Sequence, residues 1–123
     1  MRTRQLGKSG LIVSVQNEYS RKQRQPETDG VLQYAQNRNL VFLAWSPLNG
    51  IGGAKALGIS EPLLGRMAAA HQVSVYQVVL AWLLSKGPQV IPIPGASRPQ
   101  SIEDSAQAAQ LQLKPEELAA LNG

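Results

Sequence analysis

The sequence has no cysteine and a single histidine, His71. Disulfides, thiol nucleophiles and thiolate metal sites are therefore excluded, and one imidazole cannot build a zinc or haem centre. No metal site is expected. Aromatic residues are scarce at 5% of the chain, with two tryptophans, three tyrosines and one phenylalanine. Base-stacking nucleic-acid surfaces need regularly spaced basic residues with interleaved aromatics, and no such stripe occurs. No apolar run reaches the roughly 18 residues that span a bilayer. Met1-Arg2-Thr3-Arg4-Gln5 leads into Leu6-Gly7-Lys8-Ser9-Gly10 rather than into a signal-type apolar stretch, so a cytoplasmic protein is expected.

What is present suits one small globular domain. The 123 residues are 43% hydrophobic and 16% charged, outside the composition of intrinsic disorder. The net charge of +4 is uneven. Arg2, Arg4, Lys8, Arg21, Lys22 and Arg24 face only Glu18 in the first 24 residues, a net of +5, and the remainder sums to −1. Such a segment could attract phosphate or nucleic acid, although scattered solvated charges on turns explain it equally simply.

Two short β-rich stretches, 3–6 and 11–19, flank Gly7-Lys8-Ser9-Gly10, whose glycines suit a tight hairpin turn. The second arm is long and turns polar at Gln16-Asn17-Glu18, as in a strand running from a core toward a functional rim. Pro26 to Asp29 opens a helix carrying Val31, Leu32, Tyr34 and Ala35. The near-continuously apolar Leu40 to Trp45 predicts a buried strand. Ser46 to Gly53, with three glycines and a proline, is predicted to be a loop. Two helices follow, one from Ser60 to near Gln72 and one after Ser74 whose stripe is Val75, Val78, Val79, Trp82 and Leu83. Val90 to Pro94 is a short strand and Gly95 to Arg98 its exit loop, with helices at 99–109 and 115–121 closing the chain. Strand then helix, repeated three times, is the pattern of parallel βαβ units.

Five stretches carry a resemblance. Arg4 to Ser14 is similar to the amino-terminal hairpin of the aldo-keto reductases, (β/α)8 barrels that reduce aldehydes and ketones with NADPH. Val15 to Ser20 resembles their sixth barrel strand, and Leu43-Ala44-Trp45-Ser46-Pro47-Leu48 their seventh with its cofactor loop. Val90-Ile91-Pro92-Ile93-Pro94-Gly95-Ala96-Ser97-Arg98-Pro99 resembles the eighth strand and the loop that grips the adenosine phosphate, and Leu113 to Leu118 a late helix. The implied fold is α/β, a partial (β/α)8 TIM barrel retaining about three parallel strands, flanking helices and the hairpin. A full barrel takes about 250 residues. Residues 13–15 join the first strand directly to the sixth, so the family's catalytic Asp, Tyr, Lys and His have no counterpart here.

By the same resemblance Gln16 would hydrogen-bond the nicotinamide carboxamide and Trp45 would stack on its ring. Ser46, Leu48 and the backbone of Asn49 and Gly50 would line the pyrophosphate, and Gly95, Ser97 and Arg98 the ribose 2′-phosphate. Where the family usually has Glu-Asn facing the adenine, this chain has Asp104-Ser105. The expected cofactor is NADP(H), and the expected function is a cofactor-binding module without reductase catalysis. The alternatives are a carbonyl reductase active only in an assembly, or a scaffold using the basic amino-terminal segment. Three strands cannot close a barrel, so a homodimer covering strand edges is the expected partner state.

Overall fold

A computed structural model describes residues 4–6 and 11–123, with side-chain surroundings from residue 14 onward. Strand β1 (Arg4–Leu6) pairs antiparallel with β2 (Leu11–Glu18), Leu6 opposite Leu11, so the two arms of the expected hairpin are present. Its turn, Gly7 to Gly10, lies outside the described residues. β2 is one eight-residue strand with two partners: residues 11–13 face β1, and residues 14–18 pair in parallel with β3 (Val41–Trp45). β4 (Val90–Ile93) extends the parallel sheet, giving the order β1-β2-β3-β4.

Register sorts the side chains into two faces, because strand neighbours alternate. Val15, Phe42 and Val90 form one row across the sheet, and Phe42, Ala44 and Val90 are buried. Over that face pack α1 (Val31–Asn37), α2 (Gly50–Ser60), α3 (Pro62–His71), α4 (Val75–Leu84) and α6 (Pro115–Asn122), which contribute Leu32, Leu57, Leu64, Val79 and Leu121 to one core. α5 (Pro99–Gln107) has no buried residue and lies against α4. The centre of the core is aromatic. Tyr19 meets Phe42 and Trp82 edge to face at 5.9 and 5.8 Å, the geometry that ring quadrupoles favour.

The opposite face carries Gln16, Leu43 and Ile91 in one row and Glu18, Trp45 and Ile93 in the next. Val41, further back on this face, is fully buried. Leu43, Ile91 and Ile93 are half-buried, and Trp45 is 52% exposed.

One expectation is corrected here. Residues 46–53 do not form a loop throughout, since α2 begins at Gly50 and carries Gly52 and Gly53 inside its first turns. Glycine costs a helix only about 1 kcal/mol per residue relative to alanine. Ala54, Lys55, Ala56 and the fully buried Leu57 continue the helix and anchor it to the core. Gly53 also has a steric reason, because a Cβ there would lie 2.4 Å from Asn49 Cβ. The true loop is confined to Ser46 through Asn49, tightened by left-handed backbone at Ser46 (φ 52°) and Asn49 (φ 62°).

Candidate functional site

The carboxyl ends of β3 and β4 open into a cleft of about 780 Å³. One wall is the β3–α2 connection, Trp45 through Leu48, continuing into the first turns of α2 with Gly50 and Lys55. The other is the exit of β4 and the start of α5, with Gly95, Ser97, Arg98, Ser101 and Asp104. Parallel strands with helices behind them place their outgoing loops together at one edge, which is where ligands of α/β sheets bind.

Seven of the ten residues named from the sequence converge here without difficulty: Trp45, Ser46, Leu48, Gly50, Gly95, Ser97 and Arg98 all line the cleft. Trp45 presents an exposed ring at the strand end, and the side chains of Arg98 and Lys55 are exposed with no ion-pair or hydrogen-bond partner among the described residues. An unpaired cation in a concave wall is an anion site in waiting.

The other three behave differently. Gln16 is exposed on the same sheet face as Trp45 but one row further back, opposite Leu43, and is not part of the cleft wall. Asn49 is turned inward. Its backbone N–H donates to Ser46 O at 3.1 Å, and its carboxamide atoms are buried without a partner beside Gly53. The N–H expected at the pyrophosphate is thus spent on a turn. Asp104 does line the cleft, but both its oxygens are taken from behind: Ser74 Oγ donates to Oδ2 at 2.6 Å and Gln77 Nε2 to Oδ1 at 2.7 Å.

Lys55 is the wall residue that the sequence reading passed over, because the stretch around it was taken as loop continuing into unassigned chain. A helical reading of Gly50 to Ser60 would have placed it one turn after Ile51, which also lines the cleft. Tyr76, at the start of α4, also reaches the wall.

Far from the cleft, several titratable groups are committed to the fold. The Tyr19 hydroxyl donates to Glu27 at 2.5 Å, and burial followed by that carboxylate raises its pKa. Burial alone would push the Glu27 carboxyl up, but hydrogen bonds from Arg24, Tyr19 and Lys86 outweigh it and hold the pKa at about 2. His71 Nε2 meets the Glu117 carboxylate at 2.9 Å. Among the described residues no cluster of acidic, histidine or cysteine side chains could hold a metal. No single helix there is long and apolar enough to cross a membrane.

Comparison with known proteins decides the ancestry of this cleft. Residues 4–123 match the aldo/keto reductase family. The chain belongs to that family. It is 32% identical to an uncharacterised oxidoreductase of Schizosaccharomyces pombe over 90% of its own length and 34% of that protein. A solved thermostable aldo-keto reductase in complex with the inhibitor epalrestat superposes with a TM-score of 0.80 at 33% identity, over 93% of this chain and 40% of the other. An aldo-keto reductase from Klebsiella pneumoniae in complex with NADPH does so with a TM-score of 0.78 at 31% identity, over 89% and 38%. The chain therefore spans about two fifths or less of the length of these relatives, and its three parallel strands correspond to part of an aldo-keto reductase barrel.

Proposed function

We propose that this chain binds NADP(H) in the cleft between the β3 and β4 exits and that its own residues do not carry out carbonyl reduction. The observation that carries the reading is the joint presence, in one concave wall, of an exposed indole and two unpartnered cations, Lys55 and Arg98. A dinucleotide with a 2′-phosphate offers what those groups lack: an aromatic ring for Trp45 and two separated phosphate groups for the cations. The donor set fits the cofactor. Ser97 and Arg98 sit where the chain leaves β4 and would hold the 2′-phosphate, while Ser46, Gly50 and Lys55 would hold the pyrophosphate. Bound NADPH supplies a hydride.

Reduction of a carbonyl also needs a proton donor at the forming alkoxide. Tyr19 is fully buried and bonded to Glu27, and Tyr34 lies on α1 outside the cleft. Tyr76 reaches the wall, yet it has no hydrogen bond to a lysine or histidine among the described residues, and His71 is engaged by Glu117. Nothing in this set is arranged as an acid with a tuned proton affinity. Calorimetric titration with NADPH and NADH, paired with a turnover assay on a panel of aldehydes, tests both halves. Binding that prefers NADPH with no turnover is expected; turnover by the isolated chain would overturn the second half, and absence of binding the first.

Self-association into a homodimer belongs to the same proposal, supported by the half-exposed Leu43, Ile91 and Ile93 and the exposed Trp45, which share one sheet face. The outer edge of β4 is a poor route for it. Phe42 N–H bonds Gln89 O, so odd-numbered β4 residues turn their backbone groups to β3 and positions 90, 92 and 94 point outward. Val90 N–H is used by Gly87 O, and Pro92 and Pro94 have none to give. Pairing through the sheet face or the β2 side is left. Sedimentation at micromolar concentration is expected to give a dimer mass, and a well-folded monomer would contradict it.

A further inference from the structure

Asp104 is the one acid among the described residues of the cleft wall, and Lys55 and Arg98 are its bases. Its carboxylate is held from the rear by two donors on the first turn of α4, Ser74 and Gln77. Ser74 is the N-cap of that helix, accepting from Gln77 N–H at 3.1 Å while donating its own hydroxyl proton to Asp104. The Ser74-x-x-Gln77 spacing is that of a capping box, in which the glutamine side chain would turn back to the N-cap backbone. Here the Gln77 amide crosses to Asp104 instead. Gln77 is 4% exposed, so its amide can hardly turn to solvent, and withdrawing Asp104 would leave it only a long 3.4 Å contact to Gln107 Oε1. The pull on Asp104 is therefore built into the core.

We propose that the Ser74–Asp104–Gln77 clamp is a specificity device: it keeps the cleft's only described carboxylate fixed against α4, leaving the wall's mobile charge positive and favouring a ribose 2′-phosphate over a 2′-hydroxyl. Three physical points support it. A free carboxylate in the same wall would repel a phosphate and compete for Arg98. An acid that can swing toward a ribose is what unphosphorylated dinucleotide sites use to accept from the 2′-hydroxyl. The N-terminal end of α4 carries a partial positive charge, so the clamped carboxylate is electrostatically settled where it is. Asp104 is then a positioning residue rather than the adenine contact expected from the sequence. Nor does the clamp rest on Asp104 alone, because α5 reaches α4 through a second contact, Gln77 Nε2 to Gln107 Oε1 at 3.4 Å.

The inference rests on the NADP(H) reading, and its test separates the two. Adenosine 2′,5′-bisphosphate and 5′-AMP would be titrated calorimetrically into the unmodified chain, into Ser74→Gly/Gln77→Leu, and into that variant with Asp104→Asn added. Glycine is itself a favoured N-cap residue, so the helix start should survive. The unmodified chain is expected to prefer the bisphosphate by about tenfold or more, the double variant to lose about tenfold of that preference, and the added Asp104→Asn to restore it. Equal weakening of both ligands, or no rescue, would show a merely structural clamp and overturn the inference while leaving the nucleotide site standing. Binding of neither ligand by the unmodified chain would overturn both. Should the double variant fail to fold, Asp104→Asn alone decides: retained preference within about threefold is expected of a clamped carboxylate, and a collapse of affinity for both ligands would mean that Asp104 touches the nucleotide.

Discussion

Two groups of cations in this molecule have opposite surroundings. Arg21, Arg24 and Lys86 crowd one ring, lying 4.8, 5.4 and 4.6 Å from the Trp82 centroid. Each is also paired: Arg21 with Glu61 and Leu121 O, Arg24 with Glu27 and Asn122 O, Lys86 with Glu27 and Asn122 Oδ1. Lys55 and Arg98, at the cleft, have neither ring nor carboxylate among the described residues. The difference separates charge that holds a fold from charge kept for a ligand. A cation near a core must be paired or it costs stability, whereas an exposed one in a concave wall costs little and can be spent on binding. Two of the six basic residues of the amino-terminal segment, Arg21 and Arg24, fall in the first group, so that part of the net +5 is spent on the fold.

The comparison breaks first at Trp82. Trp82→Ala removes a fully buried ring and the platform for three cations, and is expected to cost about 3–5 kcal/mol in denaturant unfolding, an amount comparable to the whole stability of a small domain. Gly53→Ala comes next: the 2.4 Å approach to Asn49 Cβ forces the Ser46–Asn49 loop to move, at about 1–3 kcal/mol, with weakened nucleotide binding as a second readout. Gly95→Ala is its control, since an added Cβ there meets nothing within 4 Å and stability should change by less than about 0.5 kcal/mol.

Glu27→Gln removes the charge and one of the two acceptor oxygens that serve Tyr19, Arg24 and Lys86, at about 1 kcal/mol near neutral pH. Its pH signature is sharper than its size. The folded carboxyl titrates at about 2, below its ordinary 4.5, so the stability it adds is full above 4.5 and is lost as pH falls toward 2. The variant should therefore flatten the acid limb of the stability profile and leave the slope above pH 6 unchanged. The smallest effect on stability is expected of Arg98→Ala, which should leave the melting temperature within about a degree or two while lowering NADPH affinity by about tenfold or more and NADH affinity little.

Much of this was legible in the sequence, and the failures have identifiable causes. The apolar runs of β3 and β4 and the Val75-to-Leu83 stripe of α4 announced themselves because burial demands continuous or 3.6-period hydrophobicity. Trp82 as core followed from the same stripe, whereas the apolar run alone made Trp45 part of a buried strand and only the family resemblance put its ring at the ligand. α2 was missed because local glycine content spoke against a helix that Leu57 secures through packing, and with it went Lys55. Asn49 and Asp104 were read as facing the ligand. Residue type cannot say which way a polar side chain turns when Gly53 makes room for one behind the loop and Ser74 and Gln77 hold the other from across a helix interface.

Trp45 emission offers the most direct test, because Trp82 is buried on the far side of the sheet and Trp45→Phe supplies the blank. The unmodified chain, Lys55→Ala and Arg98→Ala would be titrated with NADPH and NADH in parallel. Saturable quenching that prefers NADPH, with the preference abolished by Arg98→Ala and both affinities lowered by Lys55→Ala, is expected of a retained dinucleotide cleft. Absence of saturable quenching by either nucleotide, or quenching indifferent to both substitutions, would contradict it.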